Sequence, residues 1–270
     1  VIIFTAAIYM GYRMGFNSPS PVIPAEVKKA ATTSVASPTG VLPNGQISLL
    51  LVTVDSLQAA RPRLESVWLV ELVPPDPRLT LLSVYPSFSN EDTQLDASLA
   101  GAFRVESISN SLQVGQAFLK ALQNRNLFWS GTVLLDKYAL AQTLDYLNLP
   151  QLQQSLGGDQ TSGKANVTTQ PVSSPNGAAR LKAIPSASQN PQMALFAQAS
   201  IYQELCQSAA QRNPVLDVSS QEELAKLVEG HLFLDLDPKQ VLPHLKAYQA
   251  PSTTLFCDFP ALPIQSMSTK

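Results

Sequence analysis

Three charged side chains at the end of one apolar run and the start of the next have the types that bind metal ions and phosphates. Asp55 closes the run Ile47 to Val54, ISLLLVTV, and so stands at the carboxyl end of a strand that reads as buried on both faces. A carboxylate there is either a metal- or phosphate-site ligand or a cap on the turn that follows. Arg63 and Glu65 come next. Arg63 is either a phosphate ligand, through its forked donors, or a surface side chain paired with Glu65. Glu65 is a candidate metal carboxylate on the same footing. The other reactive types are poorer in pattern. His231 and His244 have no partner at catalytic spacing and read as surface or satisfied core residues. Ser56 and Ser66 lack a G-x-S-x-G setting, and no dinucleotide or P-loop glycine motif occurs. Cys206 and Cys257 form no CxxC or zinc-spaced cluster, which leaves one bridge between them or none.

The elements that must position these residues alternate. After the first strand, SVWLVELV at 66–73 and RLTLLSV at 78–84 are β-rich runs parted by PPDP, a predicted hairpin. Helical period is predicted over Ser111 to Leu122, with Leu112, Val114, Phe118, Leu119 and Leu122 on one stripe. A short strand from Thr132 to Leu135 precedes a helix from Asp136 that Pro150 is expected to stop. Further helices are predicted over Gln192 to Gln211, Ser220 to Val228 and just beyond Asp237-Pro238, with strands at HLFLDL from His231 and at Thr253 to Phe259. Trp68, Phe128 and Trp129 read as core aromatics before a sugar-stacking platform. Strands alternating with helices predict an α/β fold with helices on both faces of a mixed sheet.

Composition narrows the partners. Eighteen basic and 20 acidic residues leave a net charge of -2, so there is no field to attract nucleic-acid phosphates, and a nucleic-acid partner is not expected. The start, VIIFTAAIYMGYRMGF at 1–16, reads as the outer end of a transmembrane anchor, with an ordinary buried helix or a signal-peptide core as alternatives. Residues 17–45 hold five of the 21 prolines among Ser, Thr and Ala and read as a linker. Residues 156–191 carry few large apolar side chains and read as a low-complexity insertion in a domain spanning 46–260, with 261–270 as a tail; a boundary between two domains is the competing reading.

Several phrases, in order, resemble the LytR-CpsA-Psr family of membrane-anchored envelope proteins. They are Val54-Asp55-Ser56 at a strand end, Arg63-Leu64-Glu65-Ser66 leading into a strand, and Leu79 to Val84 after a hairpin. Asp136 before a helix containing DYLNL, Leu227-Val228-Glu229-Gly230 before a strand, and Asp237-Pro238-Lys239-Gln240 complete the set. The resemblance implies an α/β/α sandwich that moves a glycopolymer from a polyprenyl pyrophosphate lipid to peptidoglycan. It also implies arginines on the pyrophosphate and aspartates on a divalent cation, so that Asp55, Arg63 and Glu65 would be catalytic, Arg63 and Arg61 would bind lipid phosphate, and Asp55 would hold Mg²⁺.

The sequence departs from the family pattern where the chemistry lies. Leu57 stands where an arginine is common, and Glu65 replaces an aspartate. Tyr85-Pro86-Ser87-Phe88 replaces a proline-arginine-aspartate phrase, and no basic residue occurs from Gln192 through Gln211. Arg61, Arg104 or Arg125 are the candidates to compensate. The expectation is therefore a catalytically impaired binding or scaffold module, with no assured cofactor. An active phosphotransferase using Mg²⁺ and an accessory subunit of a membrane complex are the alternatives. Expected partners are the membrane, through the N-terminus, and polyprenyl-linked glycopolymer or peptidoglycan, on the extracytoplasmic side.

Overall fold

The structure, a computed structural model, describes residues 46–72, 78–87, 93–108, 111–156, 177–182, 184–211, 224–236 and 256–260. The predicted anchor, linker and tail, the PPDP turn, Phe88, His244 and the helix predicted beyond Asp237 lie outside these residues.

The first strand, β1 (Ile47–Val54), is buried along its whole length. Its apolar residues point alternately to two cores: Leu50, Val52 and Val54 to one, Ile47, Leu49 and Leu51 to the other. A strand with polar residues on one face would have to lie over solvent, so this pattern places β1 centrally. β2 (Leu64–Leu72) and β3 (Arg78–Tyr85) follow as antiparallel neighbours, the predicted hairpin. On the other side of β1 lies β6 (Gly131–Asp136), parallel to it, and beyond that the antiparallel β7 (Leu232–Leu236). With β8 (Phe256–Asp258), which runs parallel to the start of β3, the six strands stand in the order β7-β6-β1-β2-β3-β8.

Helices pack on both faces, as the alternation predicts. One core takes residues from α1 (Thr93–Ala102) and α2 (Gln116–Gln123), including Leu99, Phe118 and Leu122. The other takes Leu140 and Leu144 from α3 (Lys137–Leu156), Leu181 from α4 (Gly177–Lys182), and Leu195 and Tyr202 from α5 (Pro191–Gln211). Leu181 and Ala187, inside the stretch read as low-complexity, are both buried. A short helical turn at 224–227 buries Leu224. Cys206 on α5 and Cys257 on β8 are joined by a disulfide, with Cα atoms 6.3 Å apart.

Two predicted elements differ from the structure. Ser111–Val114 is a strand, β5, paired with β4 (Val105–Ile108), and the helix begins only at Gln116. Leu112 and Val114 are two apart, so they suit a strand as well as a helical stripe. Gly115 decides between them: its N–H donates to the Arg104 carbonyl at 2.8 Å, extending the hairpin. A Cβ there would stand 3.2 Å from that carbonyl oxygen and 2.8 Å from Glu106 Oε1. Pro150 does not stop α3, which continues to Leu156. The helix α1 was not predicted, having no sustained apolar stripe.

Candidate functional site

β1 and β6 are parallel and in register, with Val54 opposite Asp136. β6 ends in Asp136 and Asp55 directly follows β1, so the two carboxylates are delivered to the same edge of the sheet. β2 runs the other way, and its start, with Arg63 and Glu65, arrives at that edge too. The end of β3 adds Tyr85, and the start of β7 adds His231 just before Leu232. Ligands in open α/β sheets bind outside the carboxyl ends of the parallel strands.

Asp55 closes a loop. Its Oδ1 accepts the N–H groups of Ser56 and Arg63, both at 2.8 Å, and its Oδ2 accepts Arg63 Nε at 2.8 Å. The Asp55 N–H donates to the Arg63 carbonyl at 3.0 Å, completing the tie across residues 56–62. Partial burial raises the Asp55 carboxyl, but the Arg63 and Ser56 hydrogen bonds and the Arg63 charge outweigh it and hold the group below the usual carboxylate range. Arg63 is 73% exposed and its partner is Asp55, where the sequence suggested Glu65. Arg61 is exposed in the same loop.

Glu65 is buried, 2% exposed. Lys137 Nζ lies 3.4 Å from its Oε2, and the Ala187 N–H and Ser186 hydroxyl approach at 3.4 Å. Burial of Glu65 without Lys137 would leave an uncompensated charge in the protein, which is costly. Nearby, burial pushes the Tyr85 hydroxyl up to about 12, with the charges of Asp96 and Glu65 adding to it. Leu57 and Tyr85 both belong to the core on the α1 and α2 side.

Asp136, 1% exposed, does three things at once. Oδ1 accepts the Ala139 N–H at 3.0 Å, capping α3, whose first turns have unpaired N–H groups. Oδ2 accepts the Leu57 N–H at 3.1 Å, fixing the loop after β1. The same oxygen lies 2.7 Å from His231 Nδ1. His231 is thus a satisfied residue, as the sequence reading has it, and the partner that local spacing does not show is 95 residues away along the chain and adjacent in the sheet. Tyr138, half-exposed, lies over the imidazole with ring centroids 4.3 Å apart.

The structure thus brings Asp55 and Arg63 together, sets Glu65 against Lys137, and adds Asp136 and His231, which were not predicted as site residues. A signal for Asp136 was present, since LLD at 134–136 repeats the VD ending of β1. Arg104 donates to the Gly101 carbonyl at 3.1 Å, at the end of α1. Trp68 and Trp129 are buried and Phe128 is 47% exposed.

The cation implied by the family resemblance needs hard carboxylate oxygens with room to coordinate. Both oxygens of Asp55 are engaged by N–H donors of the chain. Among the described residues no group of three His, Cys, Asp or Glu side chains could hold a metal ion. The residues as arranged do not fit a magnesium ion, and no chemical step is assigned to one. A cavity of about 10 Å³ lies on the hairpin side, lined by residues that include Leu112, Val114, Leu134 and Phe233. It has room for about one water molecule.

No family model and no curated protein matches the sequence. Among solved structures, the chain is similar to TagV of B. subtilis, at 12% identity and a TM-score of 0.48, over 80% of this chain and 84% of that one. It is also similar, at 15% identity and a TM-score of 0.43, to a protein from Actinomyces oris, over 80% of this chain and 81% of that one. That neighbour is a LytR-Csp2A-Psr enzyme. The LytR-CpsA-Psr family, which the sequence phrases resemble, is thus represented among the structural neighbours. A third neighbour, TagT bound to LI-WTA, aligns at 12% identity and a TM-score of 0.44, over 79% of this chain and 78% of that one. Among the described residues no helix is long and apolar enough to cross a membrane.

Proposed function

We propose that the chain is a catalytically impaired LytR-CpsA-Psr-like module that binds or scaffolds envelope glycopolymer, anchored by its N-terminus on the extracytoplasmic side. One observation carries the impaired reading. The guanidinium and carboxylate that family chemistry would turn toward pyrophosphate and metal are turned toward each other, Arg63 Nε to Asp55 Oδ2 at 2.8 Å. Among the described residues the edge holds three carboxylates, and each is engaged by the chain itself: Asp55 by Arg63, Glu65 by Lys137 and Asp136 by His231, with Arg61 exposed in the loop between β1 and β2. Cations engaged in this way are turned from a doubly charged anion, whose transfer depends on electrostatic stabilisation. Leu57 occupies a core position where the family pattern commonly has an arginine.

The disulfide supports the location, because bridges persist outside the reducing cytosol. The apolar start at 1–16 and the resemblance support the anchor. The deciding experiment is binding of a polyprenyl pyrophosphate with and without Mg²⁺, with Arg63→Ala as control. Weak binding that ignores both Mg²⁺ and the substitution agrees with the proposal. Tight, Mg²⁺-dependent binding abolished by Arg63→Ala would refute it and restore the phosphotransferase reading.

A further inference from the structure

We infer that residues 184–190 form a strap that shuts over the start of β2, with the Glu65 carboxylate as its latch. Before the strap, Leu181 of α4 lies in the core on the α3 side, and Ile184 packs against that core. Ala187 and Ala194 then belong to the core on the α1 and α2 side, and Leu195 returns to the first. The chain therefore passes round the end of the sheet. There Glu65 meets it: Oε1 accepts the Ser186 hydroxyl and Oε2 accepts the Ala187 N–H, both at 3.4 Å, while Lys137 Nζ balances the charge.

The strap is tied at both ends and lightly held between them. At one end the Ile184 N–H donates to the Leu181 carbonyl at 3.2 Å. At the other, Asn190 caps α5, its Oδ1 accepting the Met193 N–H at 3.1 Å, and Gln198 Nε2 fixes that helix to the Glu65 carbonyl at 3.0 Å. Between these ties only Ala187 is fully buried, by a single methyl group, and Ser188 and Gln189 are exposed. The bonds to Glu65 are longer than about 3.2 Å, the upper end of the usual range. The strap also carries its own turn, since the Gln189 and Asn190 N–H groups both donate to the Ser186 carbonyl. A segment with so little buried apolar surface opens without unfolding the domain. Opening uncovers Glu65, which at 2% exposure is otherwise closed to any ligand. Glu65 thus acts on the strap, where the family resemblance would have it act on a metal. The inference rests on the function proposed above only in taking this edge as the one that meets ligand.

The test uses the full chain, in which Cys206 and Cys257 are bridged and no cysteine is free, so an introduced thiol is the one group that N-ethylmaleimide labels. Ala187→Cys reports the strap, and Ser48→Cys, at a site on β1 that is 1% exposed, reports opening of the sheet. The inference predicts labelling at least about tenfold faster in Ala187→Cys than in Ser48→Cys. Adding Glu65→Gln should speed the first about tenfold, the scale of one charged hydrogen bond, and leave the second unchanged. Ser186→Ala, which keeps the Glu65–Lys137 pair, should speed the first several-fold. Equal rates at the two sites, or no acceleration of Ala187→Cys by either change, overturns the strap. If Glu65→Gln lowers the urea midpoint and speeds both thiols alike, Ser186→Ala decides: acceleration confined to Ala187→Cys supports the strap, and anything else refutes it. Labelling needs no ligand, so failure here leaves the proposed function standing, and polyprenyl pyrophosphate binding on the same samples tests that separately.

Discussion

Reducing the Cys206–Cys257 bridge should detach one edge of the sheet. β8 meets β3 through only three register pairs, Arg78 with Phe256, Leu79 with Cys257 and Thr80 with Asp258. The bridge fixes this short strand to α5 and closes a loop of 51 residues. In the loop-entropy account a closure of that length is worth about 4 kcal/mol at 25 °C, as an upper figure that native contacts and residual unfolded structure reduce. For a domain of this size that corresponds to a fall of about 8–16 °C in Tm. The paired substitution Cys206→Ser with Cys257→Ser, or reduction with dithiothreitol, should therefore lower the urea midpoint clearly. Phe259 follows β8 and meets Trp68 edge-on, with centroids 6.1 Å apart, so tryptophan fluorescence should report the detachment. Two free thiols in the unreduced, denatured protein would refute the reasoning at its first step. A bridged protein whose midpoint ignores dithiothreitol would refute the energetic step.

Asp136→Ala removes the cap of α3 and leaves the Leu57 N–H and His231 without their acceptor; a loss of about 2–4 kcal/mol is expected by urea unfolding. Because the folded-state carboxyl of Asp55 is depressed, its contribution is present above the unfolded value of 3.8 and fades as pH falls through the folded value. Asp55→Asn should thus be less stable than the wild type at neutral pH, with the gap closing in acid. Tyr85 works in the opposite range: its hydroxyl is raised from 10.0 to about 12, so its contribution is full below pH 10 and is lost as pH climbs through that window. In an alkaline absorbance titration of the folded protein, Tyr85→Phe should delete one late-ionising tyrosine. Gly177→Ala should destabilise by about 1–3 kcal/mol in thermal unfolding, since a Cβ there would come 2.5 Å from the Ala141 carbonyl oxygen of α3.

What the sequence disclosed depended on how local each signal was. Strands such as β1 were legible because burial on both faces demands an unbroken apolar run, and ISLLLVTV meets that demand without help from elsewhere. The β4–β5 hairpin was missed because four-residue strands are too short for period 2 to stand out, and Leu112, Val114 and Phe118 mimic one helical stripe. α3 passes Pro150, where local stereochemistry argued for a stop. At the site, Asp55 was legible from its place after a strand, but its pairing with Arg63 and that of Glu65 with Lys137 were not. Those choices rest on which strands neighbour which, and β1 acquires β6 as a partner only through residues that lie 82 positions later, as in the pair Leu49 and Gly131. His231 shows the same limit, since nothing near it in sequence hints at Asp136.

The buried carboxylate of Asp136 binds the fates of three segments together. Because it holds the Leu57 N–H, the first turn of α3 and His231 at once, the loop after β1 is fixed with Leu57 turned into the core. An arginine at position 57, where the family that the sequence phrases resemble commonly has one, would therefore thrust a charge into apolar packing. Accommodating an arginine there would need the loop, the core beneath it and the cap of α3 to change in concert. A single substitution of Leu57 by a charged residue therefore leads first through an unstable protein.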